Sequence, residues 1–171
     1  MDAVYTPRIE KEGQARKIVN KYMWLSMGVS LIPIPVLDLA GITALQLRML
    51  QLLSEHYNVP FSKDASKKVV SALLGSIVPA SLTNSIWSAA KFVPVLWPIA
   101  GLSMPAFAGA ATYAIGKVFI QHFESGGTFL DFDTAKMQEY FRQEFERGKS
   151  AAAAAHAEAG APQYVPTPSE I

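Results

Sequence analysis

Two long stretches of this chain are almost free of charged side chains. Residues 22–47 contain Asp38 as their only charge, and residues 69–116 contain only Lys91. The other 27 of the 29 charged side chains lie in the remaining 97 residues, which are as charged as an ordinary protein surface. The pattern therefore predicts one part that faces water and another that lies in an apolar environment.

The longer of the two stretches has the length of a membrane hairpin. Residues 69–90 are 22 uncharged positions, residues 92–116 are 25 more, and Lys91 lies between them. Because about 20 predominantly apolar residues cross a bilayer, the pattern predicts two membrane helices joined at Lys91. Both ends of this hairpin are predicted to face the cytoplasm, because lysines flank it on its outer sides, namely Lys63, Lys67, Lys68 and Lys117.

Prolines and hydroxyl side chains leave a second interpretation of the same stretch open. Pro79 interrupts the first run, and the second run contains Pro94, Pro98 and Pro105. Proline removes a backbone donor and bends a helix, which lipid-exposed segments tolerate poorly. The alternative is a soluble bundle whose core helices are apolar on all sides.

Helical patterns dominate the chain, so the predicted fold is an all-α bundle of about five to seven helices. Helices are predicted from about Arg8, over residues 39–57, from about Lys67, and as an amphipathic helix from Asp133 to about Lys149. Ser62 or Asp64 is predicted to cap the third of these. The predicted division is a polar N-terminal helical segment over 1–22, an apolar helical domain over 23–149 and a disordered Ala/Pro-rich tail over 150–171.

Asp38 is the ionisable residue whose position needs an explanation, since a carboxylate inside an apolar stretch is costly unless capped or paired. As the N-cap of a helix from Leu39, it would be stabilised by backbone N–H groups and the helix dipole. The alternative is a buried ion pair with Lys117 or Lys91. Pro35, just before Asp38, is predicted to break the preceding helix.

Small residues point to close helix packing and to a weak internal repeat. LAGIT at residues 39–43 is similar to IAGLS at 99–103, which contains Gly101, and each follows a proline-interrupted apolar segment. Two patterns of small residues spaced by four predict close contacts between helices, over Ala106, Ala110 and Ala114 and over Ala108, Thr112 and Gly116.

Composition and motifs argue against several kinds of chemistry. The net charge of +1 gives no sign of a nucleic-acid partner, and the chain has no cysteine. Neither a GxxxxGK[ST] loop, a GxGxxG turn nor a GxSxG elbow is present, and the three histidines lack metal-ligand spacing. The chain is therefore predicted to be non-enzymatic, with no cofactor and no metal.

Four segments resemble the YcjF-like family of bacterial membrane domains of unknown function. They are IPIPVLD at 32–38, the TALQ helix from Thr43, KFVPVLWPIAG at 91–101 and ATYAIGKVFIQHFESGG at 111–127. The resemblance covers about residues 15–147, and Asn58 stands where the family has a glycine. It implies an all-helical, membrane-associated domain that works with a small GTPase, here on a separate polypeptide, and it carries over no catalytic residue.

Together these observations predict a non-enzymatic membrane-associated helical protein that anchors or regulates a partner complex. Its expected location is the bacterial inner membrane, integral or peripheral, with cytoplasmic termini. Its expected partners are membrane lipid, a separate GTPase or other protein, and a second copy of the chain. A soluble helical module that binds lipid reversibly is one alternative, and a small transport or pore subunit is another.

Overall fold

The computed structural model describes residues 5–29, 35–77 and 104–160, with side chains at 8–29, 41–77 and 105–154. Over these residues the fold is an all-α bundle, as the sequence predicts. Its helices are α1 (Tyr5–Val29), α2 (Pro35–Tyr57), α3 (Lys63–Ser76), α4 (Met104–Glu124) and α5 (Thr134–Gly160).

Successive helices run in opposite directions, so the bundle has two distinct ends. At the first, which we call the polar end, His56 Nε2 lies 2.8 Å from the carbonyl oxygen of Lys11, and the Tyr57 hydroxyl donates to Glu124 at 2.8 Å. These contacts join the start of α1 to the ends of α2 and α4. The N-termini of α3 and α5 follow the loops at this same end.

At the opposite end, which we call the apolar end, α1 finishes beside the beginnings of α2 and α4. Met27 forms a small hydrophobic cluster with Ala106 of α4 and Ala152 of α5. A side chain added at Gly41, near the start of α2, would approach Val29 Cγ1 to 3.2 Å. Thus α1, α3 and α5 point towards the apolar end, while α2 and α4 start there.

Helix α4 is the centre of the bundle and packs against the other four described helices. Every described side chain from Pro105 to Glu124 is buried or half-buried except that of Gln121. The apolar character of residues 104–116 therefore has a local cause, because protein covers this helix on all sides. Residues 104–116 are the second half of the second predicted membrane run, and burial in the bundle accounts for their lack of charge. Helix α4, which contains them, continues past Lys117.

None of the described helices combines the length and the apolar character needed to cross a bilayer. A transmembrane helix was predicted from the charge-free runs, and it is not found in this part of the chain. The remainder of the predicted hairpin, including Lys91, lies outside the described residues.

Glycines let neighbouring helices approach α4 closely. A Cβ at Gly116 would lie 2.7 Å from Val19 Cγ1 of α1, and one at Gly109 would lie 2.7 Å from Met27 Cγ. On the other side, a Cβ at Gly148 of α5 would lie 2.9 Å from the Ala110 Cα of α4. Such separations are too short for a real side chain, so these contacts require glycine.

Ordered turns and aromatic packing close the polar end. Asn58 adopts a left-handed φ of 58° after α2, and Gly126 has φ 83° after α4. Ser62 caps α3 by accepting from the N–H of Ala65, and Asp133 accepts from the N–H of Lys136 at the start of α5. An aromatic cluster fills the space between these turns, comprising Tyr57, Phe61, Phe119, Phe123, Phe129 and Phe132.

Several helix boundaries differ from those expected; α1 and α3, for example, start at Tyr5 and Lys63, a few residues before Arg8 and Lys67. Helix α1 crosses the predicted boundary at residue 22 without a break. Helix α2 begins at Pro35 and not at Leu39, since proline is well suited to the first position of a helix. Helix α5 continues beyond Lys149 to Gly160, because alanine has the highest helix propensity and Ala152 is fully buried.

Candidate functional site

Most of the helix ends that flank the charge-poor connections of the chain lie at the apolar end. Residues 30–34 have no charge and link α1 to α2; residues 78–103, with Lys91 as their only charge, link α3 to α4. Helix α1 ends, and α2 and α4 begin, at this end, and α3 is directed towards it. Three of the four helix ends that flank the two charge-poor connections therefore lie at one end of the molecule, while α3 ends lower down, where Arg142 of α5 donates to the Ser76 carbonyl oxygen.

The exposed side of α1 changes from basic to apolar towards this end. Arg16, Lys17 and Lys21 are exposed, and one turn further on Trp24 and Leu25 are 46% and 42% exposed. Tryptophan is enriched where a membrane meets water, and lysine can lay its stem along apolar surface while its ammonium stays in water. This order of side chains matches the passage from water to the membrane interface.

A buried carboxylate of α5 lies near Tyr113 of α4 in the middle of the bundle. Glu144 is 1% exposed, and its Oε1 accepts from Arg147 Nη1 at 2.6 Å. Its second oxygen has no hydrogen-bond partner among the described residues. Burial and the charge of this carboxylate raise the pKa of Tyr140 to about 12, and the same two causes raise the pKa of Tyr113. Both phenols therefore stay neutral at physiological pH.

A second buried polar pair lies between α2 and α4. Gln46 is 1% exposed and its Nε2 is 3.5 Å from the hydroxyl of the fully buried Thr112. Helices α2 and α4 run in the same direction, and this contact places Gln46 of α2 at the same height along the bundle as Thr112 of α4. Because a buried amide is costly when its bonds are incomplete, it favours one register of α2 on α4.

Asp38 and Lys117, which the sequence suggested as an ion pair, are not neighbours along the bundle. Asp38 precedes Gln46 by eight residues and Lys117 follows Thr112 by five. At 1.5 Å per residue these positions are about 20 Å apart along the axis, far beyond ion-pair distance. Asp38 lies inside the first turns of α2, and its side chain is outside the described residues.

The other predicted site residues have separate positions. Pro35 is the first residue of α2, and Gly116 lies in the contact between α4 and α1. Lys91 and Gly101 lie outside the described residues. In the described ranges, no group of three or more His, Asp or Glu side chains is arranged to hold a metal. The exposure of Trp24 and Leu25 was not predicted from the sequence. The basic residues Lys17 and Lys21, which precede them at helical spacing, could have indicated that this side of α1 faces outwards.

Comparison with known proteins gives a family. The model of a domain of unknown function, DUF697, matches residues 8–150. Magnetosome membrane protein 22 of Magnetospirillum gryphiswaldense is 38% identical over 142 residues, which cover 81% of this chain and 72% of that protein. No solved structure matches. The family match spans nearly all of α1, the whole of α2, α3 and α4, and most of α5. The chain therefore belongs to the DUF697 family.

Proposed function

We propose that this protein is a non-enzymatic, membrane-associated helical protein whose apolar end meets the lipid. The observation that carries the proposal is that three of the four helix ends that flank the charge-poor connections lie at that end, beside exposed Trp24 and Leu25. The name of the relative in Magnetospirillum gryphiswaldense supports it, because that protein is called a membrane protein.

The polar end would then point away from the membrane and remain available to a partner. Its loops carry charged groups on the surface, among them exposed Asp131 and Asp133. A separate GTPase is the partner that the YcjF-like resemblance implies, and anchoring or regulating such a partner is the proposed work of the domain. Basic residues near the lipid favour the cytoplasmic face of the bacterial inner membrane.

The chain is well suited to a direct test of this orientation because it has no cysteine. Single-cysteine variants Leu25→Cys and Leu130→Cys would each carry one bimane fluorophore, at the apolar and polar ends respectively. Vesicles of phosphatidylethanolamine and phosphatidylglycerol should shift the emission of the Leu25 label to the blue and leave the Leu130 label unchanged. An unchanged Leu25 label, or an equal shift at both positions, would contradict the proposed orientation.

Reversible lipid binding is the second candidate function, and the extensive burial of α4 favours it. A helix already covered by protein does not need lipid to bury its apolar surface. Alkaline carbonate extraction of membranes separates the two candidates, since it releases a peripheral protein and leaves an integral one in the pellet. Recovery of the chain in the soluble fraction before extraction, together with no binding to added vesicles, would contradict both.

A further inference from the structure

A small polar pocket lies between α1 and α4, about midway along the bundle. Its volume is about 90 Å³, and its lining comes from α1 and α4, namely Arg16, Val19, Asn20, Tyr113 and Lys117. Four of these five side chains can donate hydrogen bonds, and two of them are cations.

Most of these donors are unused by the protein itself. Within the described parts of the chain, Asn20, Tyr113 and Lys117 make no side-chain hydrogen bond and no ion pair. Tyr113 and Lys117 are half-buried, and polar groups away from water normally have partners, so their unused donors, which face one space with those of exposed Asn20, indicate a missing ligand.

Arg16 is the one lining cation that already has a partner. It pairs with Glu12, one turn earlier on α1, and this hydrogen bond lowers the pKa of Glu12. The ammonium of Lys117 acts on the same carboxylate more weakly. Since Arg16 and Lys117 together outweigh Glu12, the pocket retains one net positive charge.

The backbone holds the two walls of the pocket at a fixed separation. Gly116 precedes Lys117 and lets Val19 of α1 approach α4 more closely than any side chain would allow. Asn20 and Arg16 flank Val19 along α1. The donors therefore project from two rigid helices locked together at the floor of the pocket.

We propose that this pocket binds an oxyanion of the phosphate class. Arginine, lysine, amide and phenol donors arriving from two helices match the several oxygens of a phosphate group, and charge-assisted bonds make such contacts strong. The phosphate could belong to a lipid headgroup or to a soluble molecule. Asn20 is one turn from Trp24, so a headgroup at the membrane interface is within reach of the pocket when the apolar end meets lipid.

The test uses the full chain titrated with inorganic phosphate and followed by the NMR shifts of α1 and α4 amides. Lys117→Gln should raise the half-saturating phosphate concentration about tenfold, since it removes one charge-assisted bond. Tyr113→Phe should raise it by a smaller factor. The matched control Lys17→Gln removes an exposed lysine of α1 outside the pocket and should leave it unchanged. Glu12→Gln should tighten binding, because it frees Arg16 and adds one positive charge.

A purely structural role for these residues would give a different pattern. If Lys117→Gln and Lys17→Gln lose phosphate affinity equally, the binding depends on general surface charge, and the proposed pocket is wrong. Weaker phosphate binding in a folded Glu12→Gln variant would also overturn the pocket.

Vesicles of phosphatidylethanolamine and phosphatidylglycerol identify the source of the phosphate. If Lys117→Gln weakens vesicle binding and inorganic phosphate competes with vesicles, the ligand is a headgroup. If Lys117→Gln loses phosphate binding while vesicle binding is unchanged, the ligand is a soluble phosphate. A third outcome is that the protein binds vesicles, but neither Lys117→Gln nor Tyr113→Phe changes the binding of vesicles or of inorganic phosphate. This outcome would overturn the phosphate pocket and leave the proposed membrane function standing.

Discussion

Replacing the two exposed apolar residues of α1 by serine should weaken membrane binding. The perturbation is the double variant Trp24→Ser and Leu25→Ser, at the apolar end. Full burial of a large apolar side chain contributes about 1.5–3 kcal/mol. Slightly less than half of each side chain is exposed and available to lipid, so each contributes about 1 kcal/mol. The pair is therefore worth about 2 kcal/mol, or about a thirtyfold fall in the lipid partition coefficient.

The assay is flotation of the full chain with vesicles of phosphatidylethanolamine and phosphatidylglycerol, at lipid concentrations that span the midpoint. The control variant, Ile9→Ser with Leu130→Ser, removes two apolar residues that are 60% and 88% exposed outside the apolar end. It deletes more exposed apolar surface than the first variant, yet it should leave partitioning unchanged. Urea midpoints would verify that both variants are folded.

Equal effects of the two double variants would refute the reasoning, because partitioning would then follow total surface hydrophobicity and not the orientation of the bundle. A larger effect of the control would reverse the orientation and place the polar end at the lipid.

Three further predictions concern stability. Gly116→Ala should destabilise the fold by about 1–3 kcal/mol, because its Cβ would overlap Val19. Gly13 has open space around it, so Gly13→Ala should stabilise α1 by about 0.5–1 kcal/mol. Urea unfolding measures both changes. In the folded protein the pKa of Tyr140 is about 12, against an ordinary value of 10.0. Its protonated phenol therefore contributes fully to the free energy of unfolding below pH 10, and this contribution is lost as the pH rises towards 12. In Tyr140→Phe, the urea midpoint should fall less steeply with pH over this range. Asp133→Ala should cost about 1 kcal/mol, seen as a lower urea midpoint, by removing the cap of α5; an unchanged midpoint would show that the cap is dispensable.

Local features of the fold were predictable from local sequence. Ser62 and Asp133 stand directly before helical patterns and accept hydrogen bonds from the first turns, as expected of cap residues. Asn58 stands where the YcjF-like family has a glycine, and it has a positive φ, which asparagine tolerates better than most residues. These features depend on residues a few positions apart, which is why sequence reasoning reaches them.

The environment of α4 could not be predicted in the same way. A helix that is apolar on all sides suits lipid and protein interior equally, so its composition could not choose between them. Only the packing of α1, α2, α3 and α5 around it identifies protein as its surroundings.

The candidate sites could not be predicted either, because each combines residues that are far apart in the sequence. Glu144 follows Tyr140 and Phe141 at helical spacing, which is consistent with its burial, but spacing along α5 alone does not place it near Tyr113 of α4. The phosphate pocket combines Arg16 with Lys117, which no local motif connects.

The contact between α1 and α4 has a consequence for the synthesis of this protein. Val19 meets Gly116, which is 97 positions later in the chain. At about 5–20 residues per second, a ribosome needs about 5–20 s to make the intervening segment. During that interval α1 lacks its main partner, and α4 itself emerges before α5, which later covers one of its sides. A nascent chain of this kind presents apolar surface to chaperones or to the membrane before the bundle can close.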